Sequence, residues 1–138
     1  MFAKQDLVNM LVDQEKLRLK PYTDTKGKLS IGIGRNLTDV GISRSEAFYL
    51  CSNDIDNAIN ELRANIDEFD SLPDNIQLAL SDLCFNMGIG TLLTFHNTLA
   101  YINQGDYADA AKELLNSDWS RDVGPTRSLT IANLIKNA

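Results

Sequence analysis

The sequence lacks the long apolar runs of membrane proteins and has few residues that hold metals. None of its 138 residues fall in a window approaching the roughly 18 consecutive apolar residues of a membrane span, so we expect no stable membrane insertion. Its two cysteines, Cys51 and Cys84, have no CxxC neighbour, and His96 is the only histidine. This pattern argues against a metal site or a disulfide framework. We therefore expect no metal, no cofactor and two buried free thiols.

Basic side chains are also scarce. The 13 Lys and Arg residues are outnumbered by 19 Asp and Glu, for a net charge of −6, which argues against a nucleic-acid-binding protein. The charge is unevenly spread: residues 15–44 hold seven basic and three acidic residues, whereas residues 45–118 hold two and thirteen. Either the basic stretch holds a polyanionic surface locally, or both stretches are ordinary solvated faces.

The composition is that of a soluble globular protein. With 43% apolar and 23% charged residues, a chain of this length is expected to form one domain, residues 1–138, and we expect a monomer. Residues 1–6 lack the apolar run of a signal peptide, so we expect synthesis in a cytosol.

The first part of the chain changes from a helical to a strand pattern. Apolar residues at helical spacing predict a first helix that ends near Leu19, because Pro21 restricts the residue before it to extended geometry. Alternation then predicts strands, and residues 24–27 (DTKG) have the chemistry of a hairpin turn. We expect a small β region over about residues 22–36.

The remaining signals are helical. Ser43 and Glu46 form a predicted capping box, followed by a long amphipathic helix with apolar positions from Ala47 to Ile66. Further helices are predicted from Pro73 to Gly88 and over residues 97–104, 107–116 (capped by Asp106) and 125–137. The fold class is therefore α+β and predominantly α-helical, with a small N-terminal β-hairpin lobe and a larger helical lobe.

Two carboxylates are expected near the junction of the helical body and the β lobe. Glu15 lies near the end of the first helix, and Asp24 lies in the turn beyond Pro21. Junctions of this kind form clefts, and glycoside hydrolysis needs one protonated acid and one ionised carboxylate. Ser30, on the following strand, offers a hydroxyl that can hold a water molecule, on a face that we expect to be otherwise bare because its neighbours there are Gly32 and Gly34. On spacing alone, a solvated Glu and a turn-forming Asp explain the pair without any catalysis, and this is the favoured interpretation.

The wider string of residues 15–34, EKLRLKPYTDTKGKLSIGIG, resembles the signature of the phage-type lysozymes, the endolysin family that includes the T-even phage enzymes. The family set is a Glu, eight intervening residues, an Asp or Cys, five more, and a Thr; here these positions hold Glu15, Asp24 and Ser30. The similarity extends over most of the chain, through segments at residues 85–88, 95–99, 105–111, 117–119 and Arg127.

The resemblance implies a role for each matching residue. Glu15 is implied to be the general acid and Asp24 the second carboxylate, and Ser30 replaces the water-positioning Thr. Saccharide contacts are implied near Asn36, Phe85, Asn86 and Thr98, and Arg127 is implied to support the site. The family position after Gly34 is often His, but here it is Arg35. Phe85 and Trp119 are candidates for stacking on sugar rings, although both residue types are more often found in a core.

The resemblance further implies a lysozyme-like fold with a cleft between the two lobes and a muramidase that acts on bacterial peptidoglycan. Such an enzyme cleaves the β-1,4 bond between N-acetylmuramic acid and N-acetylglucosamine, with inversion, during bacterial lysis. We expect it to accumulate in the host cytoplasm and to act at the cell wall or in the periplasm. A lytic transglycosylase and a non-catalytic wall-binding module on the same scaffold are the alternatives.

Overall fold

The computed structural model describes residues 1–138 and consists mainly of helices. About 65% of the residues are helical, in eight α-helices and one short 3-10 helix, and a small antiparallel sheet has three strands. The α+β class expected from the sequence is confirmed. The chain divides into two compact units, residues 1–49 (unit 1) and residues 50–138 (unit 2). The expectation of one domain over residues 1–138 stays a prediction.

Helix α1 (Lys4–Glu15) is shorter than the sequence pattern indicates. The prediction that it ends near Leu19 is wrong: Lys16 adopts φ 65° and turns the chain out of the helix, and strand β1 begins at Arg18. Leu17 and Leu19 continue the apolar spacing, but both are exposed, so no packing holds these residues in a helix. The β region therefore begins at Arg18 and not at Tyr22.

The sheet has the order β1 (Arg18–Thr23), β2 (Leu29–Gly32), β3 (Arg35–Asn36). Pro21 is tolerated in β1 because this strand lies at the edge of the sheet. The predicted turn between β1 and β2 is confirmed, since the Asp24 N–H donates to the Lys28 carbonyl at 2.8 Å. Ser30 on the central strand pairs with Tyr22 on one side and with Asn36 on the other.

Helix α2 (Arg44–Asn65) begins at the predicted capping box. The Glu46 N–H donates to Ser43 Oγ at 3.2 Å, and the Ser43 N–H donates to Glu46 Oε1 at 2.9 Å. Only Ala58 and Leu62 are buried in this helix. The predicted long helix is present, and the first half of its apolar positions, from Ala47 to Ile55, is exposed.

Unit 2 contains the hydrophobic core. Its helices are α3 (Asp74–Met87), α4 (Ile89–Leu92), α5 (His96–Asn103), α6 (Tyr107–Leu115), α7 (Asp118–Val123) and α8 (Pro125–Lys136), preceded by a 3-10 helix (Phe69–Ser71). Helix α6 packs against α5 and α8, and α3 packs against α8. The largest fully buried apolar side chains are Leu62, Ile76, Leu80, Leu83, Leu92, Leu114 and Ile135. The helices predicted from Pro73, at 97–104, at 107–116 and at 125–137 are confirmed to within a residue or two, whereas α4 and α7 were not predicted.

The two cysteines differ in their surroundings. Both are free thiols, but Cys51 on α2 is exposed, so the expectation of two buried thiols is wrong for this residue. Cys84 is buried in α3, where its Sγ donates to the Ala58 carbonyl at 3.8 Å and burial raises the pKa of its thiol.

None of the eight helices combines the length and the apolar character needed to cross a lipid bilayer.

Candidate active site

Glu15 is the last residue of α1, and its side chain is exposed. Directly after it, Lys16 has φ 65° and ψ 143°, a backbone conformation that costs a non-glycine residue free energy. The Glu15 side chain extends to the turn between β2 and β3, where it lies against the α-carbon of Gly34. The predicted acid therefore lies where the C-terminal end of α1 approaches Gly34, in the turn between β2 and β3.

Asp24 lies in the turn at the opposite end of β2. Its Oδ1 accepts hydrogen bonds from the N–H groups of Lys26 and Lys28, both at 2.9 Å. These two donors fix the carboxylate through one oxygen and leave Oδ2 available to solvent or to a ligand. The side chain is half-buried. The geometry therefore presents an oriented carboxylate with one free oxygen, as an activating base requires.

Ser30 lies on β2, between the turn that holds Asp24 and the turn near which the Glu15 side chain lies. It is only 3% exposed and lies in the middle of the sheet. Directly paired residues of an antiparallel sheet point to the same face, so Ser30 shares its face with Tyr22 and Asn36. The expectation that neighbouring glycines leave this face bare is wrong, because the cross-strand neighbours occupy it.

Asn36, a predicted saccharide contact, forms hydrogen bonds with the loop that follows β3. Its Nδ2 donates to Asp39 Oδ2 at 3.0 Å, and its Oδ1 accepts from the Asp39 N–H at 2.9 Å. Asp39 also pairs with Lys28 at 3.3 Å. The second Nδ2 hydrogen and the second Oδ1 lone pair of Asn36 remain for a ligand.

Arg35 occupies the position at which the family often has His, and it forms an ion pair with Glu46. The guanidinium donates from Nη1 to Oε1 and from Nη2 to Oε2 of Glu46, both at 2.8 Å, and from Nη1 to the Gly41 carbonyl at 3.1 Å. This pairing lowers the pKa of Glu46 to about 2 and raises the pKa of Arg35. The pair joins β3 to the start of α2, and no local signal in the sequence indicated it.

The predicted sugar contacts Phe85 and Asn86 lie at the end of α3 and are exposed. Trp119 is 8% exposed, which confirms its interpretation as a core residue, and its indole N–H donates to Asn86 Oδ1 at 2.8 Å. An indole N–H only donates, so the amide oxygen of Asn86 must face it and the Nδ2 group must face outward. Asn86 therefore presents two N–H donors to solvent.

Thr98 and Arg127 occupy more enclosed positions in unit 2. Thr98 is 4% exposed on α5, where it helps line a hollow of about 610 Å³ together with Trp119. Arg127 on α8 donates from Nη2 to Asp82 Oδ1 at 2.9 Å, and its buried Nε has no partner. Asp82 and Phe85 line a second hollow, of about 280 Å³.

The predicted site residues thus fall into two groups. Glu15, Asp24, Ser30 and Asn36 belong to unit 1, and Phe85, Asn86, Thr98 and Arg127 belong to unit 2. No group of three or more His, Cys, Asp or Glu side chains in the chain is arranged to hold a metal ion. The catalytic and binding roles of these residues stay predictions.

Comparison with known proteins identifies the family. A family profile described as Phage lysozyme matches residues 12–133, which is most of the chain and includes the segment from Glu15 to Gly34. The chain belongs to the phage lysozyme family. It is a lysozyme-type glycoside hydrolase, and the substrate class of such lysozymes is peptidoglycan.

Two curated proteins of Dictyostelium discoideum are similar to this lysozyme over nearly their whole length. The chain is 28% identical to "Probable T4-type lysozyme 1", with 93% of the chain and 92% of the relative covered. It is also 28% identical to "Probable T4-type lysozyme 2", with 94% and 93% covered. The family signature recognised in the sequence is thus confirmed.

Proposed function

We propose that this lysozyme is an N-acetylmuramidase that hydrolyses the β-1,4 bond between N-acetylmuramic acid and N-acetylglucosamine. Glu15 protonates the glycosidic oxygen, and Asp24 acts as the base that activates a water molecule. Ser30 holds that water. We also propose that the enzyme accumulates in the host cytoplasm and is used in bacterial lysis.

One observation carries the proposed mechanism: the two carboxylates lie near opposite ends of β2. Asp24 lies in the turn that leads into β2, and the Glu15 side chain rests on the turn that follows β2, with Ser30 on the strand between them. An inverting glycosidase needs its carboxyl groups ~6.5–9.5 Å apart to admit water, whereas a retaining enzyme needs ~5–5.5 Å. Placement at the two ends of a strand favours the wider separation.

The burial of Ser30 supports its role with water. A hydroxyl in a nearly closed environment is shielded from the continual exchange of bulk solvent, so a water bonded to it keeps a defined position. The Asp24 carboxylate, already oriented through Oδ1, then has Oδ2 to accept the proton of this water. Inversion follows because the water attacks the face of the sugar opposite to the leaving group.

The test is digestion of purified peptidoglycan by the parent chain and by Glu15→Gln, in isotopically labelled water. We expect the parent to give muramic acid reducing ends that carry the label. We expect Glu15→Gln to lose at least about a hundredfold in rate, within the range for removal of a general acid. Asp13→Asn is the matched control, since it neutralises another exposed carboxylate of α1 and should leave the rate unchanged.

Each alternative has its own outcome. Unlabelled 1,6-anhydro ends would identify a lytic transglycosylase, in which the sugar closes on itself. Wall binding without any bond cleavage, unchanged in Glu15→Gln, would identify a non-catalytic module. Early reaction products analysed by NMR show the anomeric configuration, and a retained configuration would contradict the role of Asp24 as a base.

A further inference from the structure

The contact between Glu15 and Gly34 is unusually close. A β-carbon built on Gly34 would lie 3.0 Å from Glu15 Oε2 and 3.1 Å from both Cδ and Cγ of Glu15. Ordinary carbon contacts are near 3.5–4.0 Å, so a methyl group here would require the Glu15 side chain to move by a few tenths of an ångström. The three atoms nearest to this position all belong to the side chain of the predicted acid.

No other glycine of the chain has this property. A β-carbon on any of the other seven would meet no heavy atom within 4 Å. Gly32 is the informative comparison because its φ of 72° nearly equals the 70° of Gly34. Both positions need glycine for their positive φ, but only at Gly34 would a side chain also press on another residue.

The side chain of Glu15 is exposed, so it is the partner that would move. Its backbone is held by α1 and by the conformation of Lys16, and an added methyl at residue 34 therefore displaces the carboxyl group and not the helix. Because a displacement of about 1 Å in a catalytic group can reduce a rate about a hundredfold, a shift of a few tenths of an ångström is expected to reduce it by up to about tenfold.

We propose that Gly34 is a positioning residue for the catalytic acid. Its bare α-carbon is the surface on which the Glu15 side chain rests, and this contact sets the height of the carboxyl group relative to the glycosidic oxygen. The inference rests on the proposed function, in which Glu15 is the acid. Gly34, the second glycine of the Gly32-Ile33-Gly34 segment, thus has two roles: it allows the backbone to turn, and it positions the acid.

The first experiment compares Gly34→Ala with Gly32→Ala. Both variants place a β-carbon at a positive φ and should lose similar stability in urea unfolding. We expect Gly34→Ala to lower kcat roughly tenfold with little change in KM, and Gly32→Ala to keep kcat within about twofold. Equal kcat values for the two variants would overturn the proposal.

A second comparison tests whether the effect passes through Glu15. Glu15→Asp shortens the side chain and withdraws it from residue 34. We expect Gly34→Ala to lower kcat much less when Glu15→Asp is already present than in the parent, whereas Gly32→Ala should have the same small effect in both backgrounds. Additive effects of Gly34→Ala and Glu15→Asp would contradict positioning of the acid.

Cys51 permits a semisynthetic version of the same test, because it can serve as the ligation site between two fragments of the chain. A synthetic segment of residues 1–50 can be joined at Cys51 to the remaining chain, with D-alanine in place of Gly34. D-alanine accepts positive φ without strain, and its methyl group replaces the other α-hydrogen of Gly34 and does not occupy the position 3.0 Å from Glu15 Oε2. We expect this chain to keep parental kcat even if Gly34→Ala does not fold; a loss as large as 10-fold would overturn the proposal.

The outcomes separate this inference from the proposed function. Full activity in Glu15→Gln would remove the acid role and with it the basis of the inference. An inactive Glu15→Gln together with equal kcat values in Gly34→Ala and Gly32→Ala would leave the function standing and overturn only the role of Gly34.

Discussion

At the scale of single residues, the three predicted catalytic side chains are held by different physical means. Asp24 is oriented by two backbone N–H donors of its own turn. Glu15 is oriented by the end of its helix and by contact with Gly34. Ser30 depends on burial within the sheet, without the methyl group that restricts the rotamer of a Thr. Water placement by Ser30 is therefore the contact we expect to contribute least to the rate.

Removal of this hydroxyl should have a moderate effect. Ser30→Ala deletes one hydrogen bond to the attacking water, worth about 1 kcal/mol, so we expect kcat to fall about fivefold. Ser128→Ala is the matched control because Ser128 is similarly buried, at 2% exposed, on α8. Steady-state digestion rates of peptidoglycan check both. A loss as large as that of Glu15→Gln would mean that Ser30 does more than place water.

At the scale of elements, the junction of β3 and α2 is fixed by one carboxylate. Glu46 completes the capping box with Ser43 and accepts the two-pronged hydrogen bond of Arg35. The fork geometry of an Arg–carboxylate pair adds directional constraint to its charge. The side chains are 37% and 41% exposed, so the contribution to stability is modest and depends on pH.

The direction of this pH dependence follows from the lowered pKa of Glu46. The value is about 2 in the folded chain against an ordinary 4.5, chiefly because Arg35 donates to the carboxylate. A lowered folded-state pKa stabilises the fold above about pH 4.5, and this stabilisation is lost as the pH falls toward 2. We expect Glu46→Gln to unfold at lower urea concentration than the parent at pH 7, and the difference to shrink below pH 4.5.

Glu61→Gln, an exposed carboxylate on the same helix, is the control for the loss of a negative charge. It should shift the urea midpoint less than Glu46→Gln at pH 7. A difference between Glu46→Gln and the parent that stays constant from pH 7 to about pH 3 would contradict the linkage argument.

The elements with local signals were predictable from the sequence. Helix α3 lies between Pro73 and Gly88 with apolar residues at helical spacing, so both its limits and its buried face could be derived. The end of α1 could not, because Lys16 is a non-glycine residue in a conformation that only its surroundings impose. Helix α4 has four residues, too few to show a period.

The same distinction applies to the candidate site. The spacing of Glu15, Asp24 and Ser30 is a local property of the chain, and it led to the family signature. The contact of Glu15 with Gly34 and the pairing of Arg35 with Glu46 join separate elements, so they depend on the turns that bring these elements together. Periodicity likewise identifies the apolar face of α2 but does not show whether anything covers it.

At the scale of the whole molecule, charge is divided between the two units. Unit 1 has eight basic and six acidic side chains, whereas unit 2 has five and thirteen. Lys16 and Lys20 are exposed and form no ion pair, unlike Lys28, which pairs with Asp39. Peptidoglycan carries carboxylates on its peptides, so unit 1 is the part of the molecule that an anionic wall attracts.

Binding to the wall should therefore depend on the lysines of unit 1. In a Glu15→Gln background, in which we expect no digestion, Lys16→Gln with Lys20→Gln should lower the bound fraction in sedimentation with insoluble peptidoglycan at low salt. Lys112→Gln with Lys136→Gln changes the net charge equally within unit 2 and should lower it less. The difference should vanish near 1 M salt, where screening acts over about 3 Å. Equal losses in the two double variants would show that only net charge matters.

The contrast between the two thiols makes the unmodified chain suitable for optical experiments. A maleimide dye reaches Cys51 on the surface of α2 but not Cys84 within α3, so one fluorophore per molecule can be attached without engineering. Movement of enzyme molecules along wall fragments can then be followed individually, with the native residues at every other position.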